Sequence, residues 1–409
     1  MSYRIAVLAV LLLLFGAGSA APQDKHAPQE SAPTLKRLRP RGEKKAADAT
    51  GRQKPGAEVD EDEPVRIETS LVVCPVMVLD RQGRAVRGLT REDFLVTEDG
   101  RPQLIGTFTT GDDATVPRSI VLIMDYSGSM LPYIKTSVEA AKRLVDQLGP
   151  RDRMAVVTDD VKLLVDFTAD KAELKSRLEK LKGKADSGDA RRGWGSGHSL
   201  QYTALLATLR EMFDEEDIRP VIIFQTDGDE LNILRKSSVE EARPPKGGDA
   251  REPGLAEVFK TAERSRATVY SVIPGVRLIG LGPGEADAKL KTLGEQLARD
   301  PLLRRMSRGG PVPFEEFVNV RAGLYVQMQR TLFDLAKLTG GWADFLEDPS
   351  QADAVYTRIL SDINKRYVLA YYPDDKAHDG KRRRVSIEVR GHPEYTVWGR
   401  KSYYAPDPE

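Results

Sequence analysis

The sequence predicts an α/β fold: a doubly wound, mainly parallel sheet with helices on both faces, plus a small β-sandwich-like domain from N- and C-terminal strands. Three observations predict it. Short apolar runs at 120–124, 221–224 and 268–273 read as strands buried on both faces of a sheet. Helical periodicities separate these runs, as βαβ units require. At 65–112 and 366–409, by contrast, β-rich runs are punctuated by turn residues.

In chain order, residues 1–21 have the form of a signal peptide. Arg4 precedes an apolar stretch over 5–15, and Gly18-Ser19-Ala20-Ala21 supplies small residues for cleavage. The stretch is short for a bilayer span, so no stable membrane span is expected after cleavage; an uncleaved anchor is the alternative. Residues 22–64 are rich in Pro, Ala, Lys, Arg and Glu. Such a segment cannot bury enough apolar surface to offset the entropy of ordering, which predicts a disordered linker. From 65 to 112 the pattern is β, with a turn at Asp80-Arg81-Gln82-Gly83 and a hairpin turn at Glu98-Asp99-Gly100. Thr90 and Asp93 stand at capping-box spacing. The segment is small for an independent domain, so it is expected to pack with the strands of 366–409.

The α/β region covers residues 117–365. After its first strand, Ile134, Val138, Ala141, Val145 and Leu148 share a helical face that Gly149-Pro150 closes. Strands follow at 153–159 and 162–167, and Leu174, Leu178 and Leu181 mark another helix. Glycine-rich residues 183–199 lead into a helix over 200–213. A charged loop at 235–252 and a helix at 255–264 separate the second and third apolar strands. Residues 274–325 fit the alternation poorly and read as an insertion with one helix near 285–299: a lid or partner surface, or a variable loop. A helix ending in Thr339-Gly340-Gly341, a strand at 342–346 and a helix with Ala352, Val355, Tyr356, Ile359 and Ile363 on one face complete the region. Strands at 367–372, 384–389 and 395–398 follow.

Composition narrows the function. Of 409 residues, 62 are basic and 62 acidic, so net charge points to neither nucleic acid nor a membrane surface. The single cysteine, Cys74, excludes an intramolecular disulfide and reads as a buried core residue. The four histidines are far apart, without zinc-ligand spacing.

The first apolar run ends in Asp125-Tyr126-Ser127-Gly128-Ser129, one carboxylate and two hydroxyls on alternate residues. Open α/β sheets place ligands at such strand ends. Hard oxygen donors suit a small divalent cation, Mg²⁺ or else Mn²⁺ or Ca²⁺. Asp227 follows the second apolar strand at the same relative position as Asp125. Ser199 lies just before the intervening helix, with Thr203 as the alternative donor from that loop. An ordinary polar turn is the competing reading of these residues.

Asp125-x-Ser127-x-Ser129, a hydroxyl before an Ala-Leu helix and Thr226-Asp227-Gly228 resemble the von Willebrand factor A domain with its metal-ion-dependent adhesion site. The wider layout resembles VWFA-related Acidobacterial domain proteins, through GLTREDFLVTEDGRPQ (88–103), LAKLTGG (335–341) and RYVLAYYP (366–373). The resemblance implies that Ser127, Ser129 and a loop-two hydroxyl coordinate the ion, with Asp125 and Asp227 binding directly or through water. Loop two departs from the family pattern, Gly197-His198-Ser199 standing where Gly-Gly-Thr is usual. A secreted or periplasmic, non-enzymatic protein binding a partner's Asp or Glu carboxylate is the implied function. The alternatives are a structural envelope protein with a vestigial site and a Mg²⁺-dependent phosphatase-like hydrolase using Asp227-Gly228-Asp229. Ser127 as a nucleophile with His198 as base is weaker, since the G-x-S-x-G turn is missing.

Overall fold

The computed structural model describes residues 35–37, 71–111, 117–186, 199–214, 219–230, 233–234, 254–299 and 313–408. The signal peptide, most of the 22–64 linker, the 235–252 loop and His198 lie outside the described residues. Part of that linker differs from expectation. Lys36–Arg37 (β1) pair in parallel with Lys162 and Leu163. Leu35 is buried, and its amide donates to the Glu211 carboxylate. An edge strand offers unpaired backbone groups that even two extended residues can meet.

The chain then lays down β2 (Val72–Leu79), β3 (Phe94–Glu98), β4 (Arg101–Gln103) and β5 (Ile105–Thr109). The Thr90 amide donates to Asp93 Oδ2 at 2.7 Å, closing the capping box. Asp99 and Gly100 have φ of 46° and 83°, the left-handed backbone a two-residue hairpin needs.

The α/β layers follow as β6 (Arg118–Met124), α1 (Leu131–Asp146), β7 (Arg153–Thr158), β8 (Lys162–Thr168), α2 (Lys171–Asp186), α3 (Gln201–Glu211), β9 (Arg219–Gln225), α4 (Leu255–Arg264), β10 (Thr268–Pro274), α5 (Pro283–Arg299), α6 (Phe314–Leu338), β11 (Ala343–Leu346) and α7 (Ala352–Ile363). Seven strands form one sheet in the order β1-β8-β7-β6-β9-β10-β11. It is parallel except at the antiparallel β7/β8 pair. Period-two alternation divides β6 between two cores. Ile120, Leu122 and Met124 meet α1, α2 and α7; Val121 and Ile123 meet α3, α4 and α6.

One boundary differs from the sequence reading. Helix α6 begins at Phe314, so residues 314–325 are its first turns and not part of an irregular insertion. There Val318 and Ala322 pack on Leu290 and Leu293 of α5, away from the sheet, while Leu324, Met328, Leu332 and Leu335 cover it. Two faces serving two clusters blur the single apolar stripe that marks a helix.

The C-terminal strands are β12 (Tyr367–Tyr371), β13 (Arg382–Val389), β14 (Thr396–Gly399) and β15 (Ser402–Tyr404), the last unforeseen. They interleave with the early strands in two four-stranded sheets, β14-β2-β12-β5 and β15-β13-β3-β4. The sandwich core holds Cys74, Val76, Phe94, Leu369, Tyr371 and Val385, and burial pushes the Cys74 thiol up to about 12. Buried Glu98 accepts from the Tyr371 and Tyr403 hydroxyls.

Arginines join the sandwich to the α/β layers. Arg219, opening β9, donates to the Gly111 and Thr110 carbonyls. Arg366 bridges Asp362 and the Gly340 carbonyl, and Arg400 donates to the Glu263 and Ala267 carbonyls. At Gly341 a Cβ would sit 1.9 Å from the Val269 carbonyl oxygen, so only glycine allows that approach.

Candidate metal centre

β6 lies between β7 and β9, so the chain leaves β6 toward one side of the sheet and returns on the other. The crevice at such a switch point is where doubly wound sheets bind ligands. Met124 pairs with Gln225, and the Asp125 amide donates to the Gln225 carbonyl at 3.0 Å. Asp125 and Asp227 therefore leave the sheet side by side. A single 3-10 turn, Gly128–Met130, carries Ser129 into α1. Gly228 holds φ at 78°, and a Cβ there would come within 2.9 Å of the Tyr202 hydroxyl. Both features require glycine after Asp227.

Asp125, Asp227 and Asp229 bring carboxylate oxygens within 4.8 Å of one another. Asp125 Oδ1 accepts from the Ser127 amide at 2.8 Å. Its Oδ2 accepts from the Thr226 hydroxyl at 2.8 Å and from Gln201 Nε2 at 3.0 Å. Gln201 Nε2 also donates to Asp229 Oδ1. Asp227 accepts from the Asp229 amide and the Ser129 hydroxyl. The Ser127 and Ser129 hydroxyl oxygens are 3.2 Å apart. Asp125, Ser127, Ser129 and Asp227 thus form one connected cluster.

The loop-two residues behave differently. The Ser199 hydroxyl donates to Asp159 Oδ2 at 3.2 Å, and Asp159 Oδ1 accepts from the Tyr126 amide. Ser199 thus reaches the first loop through Asp159 and is not bonded to the three clustered carboxylates. Thr203 lies inside α3, and its hydroxyl donates to Glu230. Asp229, Asp159, Glu230 and Gln201 belong to the site without having been assigned to a metal from sequence. Asp229 had a signal, its two-residue spacing from Asp227; Gln201 had none.

Charge is crowded here. Burial raises the Asp227 carboxyl well above its ordinary range, and the charges of Asp229 and Asp125 push it the same way. Burial, then Asp125, does the same to Asp159. Burial lifts Glu230 to about 7 against hydrogen bonds from Thr203 and the Tyr202 amide. Among the described residues, the hydrogen bonds reaching Asp125 and Asp227 come from neutral donors. Like-charged carboxylates at a sheet crevice fit a hard divalent cation, which would neutralise them and take the serine hydroxyls as further oxygen ligands.

Residues 120–230 match the family model of the von Willebrand factor type A domain. No curated protein matches the chain. Among solved structures, proximal thread matrix protein 1 from the mussel byssus, with a zinc-occupied MIDAS motif, is 13% identical, with a TM-score of 0.31 over 60% of this chain and 48% of that one. The von Willebrand domain of the type V pili tip protein Mfa5 from Porphyromonas gingivalis is 13% identical, with a TM-score of 0.33 over 63% and 96%. Manganese-loaded TRAP from Plasmodium vivax is 11% identical, with a TM-score of 0.27 over 78% and 100%. The chain spans about half the length of the mussel protein. Likenesses this distant decide nothing about function. The family match over residues 120–230 and the α/β architecture agree on a von Willebrand factor type A fold.

Proposed function

We propose that the chain is an exported, non-enzymatic binding protein that holds a divalent cation and uses it to engage an acidic group on a protein partner. One observation carries this reading: Asp125, Asp227 and Asp229 converge within 4.8 Å at the switch point of the sheet. Asp125, Ser127, Ser129, Asp227 and Asp229 would hold the ion, some of the carboxylates through water, the ion being Mg²⁺ or its equivalents Mn²⁺ and Ca²⁺, and Ser199 would border it through Asp159. A cation bound by so few protein oxygens stays electrophilic toward one more anionic oxygen, which a partner's Asp or Glu side chain supplies. Export rests on the form of residues 1–21, and the resemblance of the wider layout to VWFA-related Acidobacterial domain proteins belongs to the same proposal. Among the described residues no helix is long and apolar enough to cross a membrane.

Thermal denaturation with and without metal tests the site. A ligand that binds only the folded state stabilises it by RT ln(1 + [L]/Kd), about 2.7 kcal/mol at a hundredfold excess over Kd. Mg²⁺ or Mn²⁺ is expected to raise Tm, and Asp125→Ala to abolish the rise. No rise in the wild type at millimolar metal would sink the proposal in favour of a vestigial site.

A further inference from the structure

We propose that Gln201 supplies the loop-two oxygen to the cation, its side-chain amide turning over as the ion enters. The inference rests on the metal-binding reading above. Gln201 opens α3 and is fully buried. Its Nε2 donates to both Asp125 and Asp229, so the amide points at two of the three clustered carboxylates. Its Oε1 is buried without a hydrogen-bond partner among the described residues. A buried amide oxygen left unpaired is costly, and native folds rarely leave one without a reason.

The two loop-two hydroxyls that the sequence offers are directed elsewhere, Ser199 to Asp159 and Thr203 to Glu230. Without metal, only the N–H side of the amide can face two anions. With a cation between those anions the preference reverses, because N–H groups repel the ion and a neutral carbonyl oxygen binds it. A half-turn about the last side-chain bond exchanges Oε1 and Nε2 within the same planar group. The unpaired oxygen then gains a partner, and the amide's two orientations distinguish the metal-free and metal-bound states.

The test is Mn²⁺ binding to the full chain, followed by calorimetry and by the EPR signal of free Mn²⁺. Gln201→Met keeps the length of the side chain and removes the oxygen; it should weaken binding about tenfold or more. Gln201→Glu keeps an oxygen and removes the N–H donors; it should bind Mn²⁺ at least as tightly as the wild type. Equal or tighter binding by Gln201→Met would mean that the amide merely competes with the ion, and the proposal falls. Weaker binding by Gln201→Glu overturns it as well, and that variant decides alone if Gln201→Met does not fold. A wild type that binds no Mn²⁺ rejects the metal site itself, a result distinct from either.

Discussion

The two ends of the central parallel strands handle buried charge in opposite ways. Where β6 and β9 begin, Arg118 meets Asp152 and Arg219 meets the carbonyls of Gly111 and Thr110, so each cation has acceptors inside the fold. Where the same strands end, Asp125 and Asp227 meet a third carboxylate, Asp229. The first end is internally matched and fastens the sandwich. The second carries excess like charge, an arrangement that stability alone does not favour and a bound cation would relieve. Loss of charge should therefore harm one end and help the other.

The largest effect should come from deleting residues 366–409. That removes β12 from between β2 and β5, and takes β13, β14 and β15 away with it, leaving only β3 and β4 of the second sheet. Neither remaining half has a core of its own. Amides of Val72–Leu79 and Phe94–Glu98 should lose their hydrogen-exchange protection; full protection in the truncated protein would refute the interdependence.

Next comes Asp152→Ala. Asp152 accepts from the Arg118 amide at 3.0 Å, from the Arg118 guanidinium and from the Gly149 amide at 2.6 Å. Removing it leaves a buried guanidinium uncompensated, a loss of about 3–5 kcal/mol. Burial pushes the Asp152 carboxyl up, but Arg118 and the two amides outweigh it, and it titrates below the ordinary aspartate range. A depressed folded pKa contributes stability that is fully present above the unfolded value, near pH 4, and lost as pH falls through the folded value. Urea denaturation should show the gap between wild type and variant constant above about pH 4 and narrowing below it. A gap that widens on acidification would contradict the pairing.

Legibility in the sequence follows the same division. The fold could be read because β6 repeats one rule residue by residue, alternating between two apolar cores. The sandwich could be inferred because the early β segment is too short to stand alone. β1 could not, since two residues carry no period and their pairing depends on an edge formed far along the chain. Within the site, Asp125 and Asp227 were visible as acids closing apolar strands. Loop two stayed open between Ser199 and Thr203, and only the position of Glu230 commits the Thr203 hydroxyl. Gln201 was invisible, because its relation to Asp125 and Asp229 exists only once α3 is seated beside both loops.

The smallest predicted effect discriminates most sharply between the two ends. Asp229 is the charge that most raises the Asp227 carboxyl after burial. Asp229→Asn removes that charge and keeps an oxygen to accept from Gln201. In EDTA the variant should be more stable than the wild type by roughly 0.5–1 kcal/mol, since a like-charge contact is relieved while the oxygen that accepts from Gln201 is kept. In Mn²⁺ the order should reverse, because the same carboxylate would be a ligand or would balance the charge of the ion. Paired melting curves read both signs in one experiment. A variant less stable than the wild type even in EDTA would mean that Asp229 is held by an attraction within the fold, as Asp152 is, and that the two ends of the sheet are not opposites.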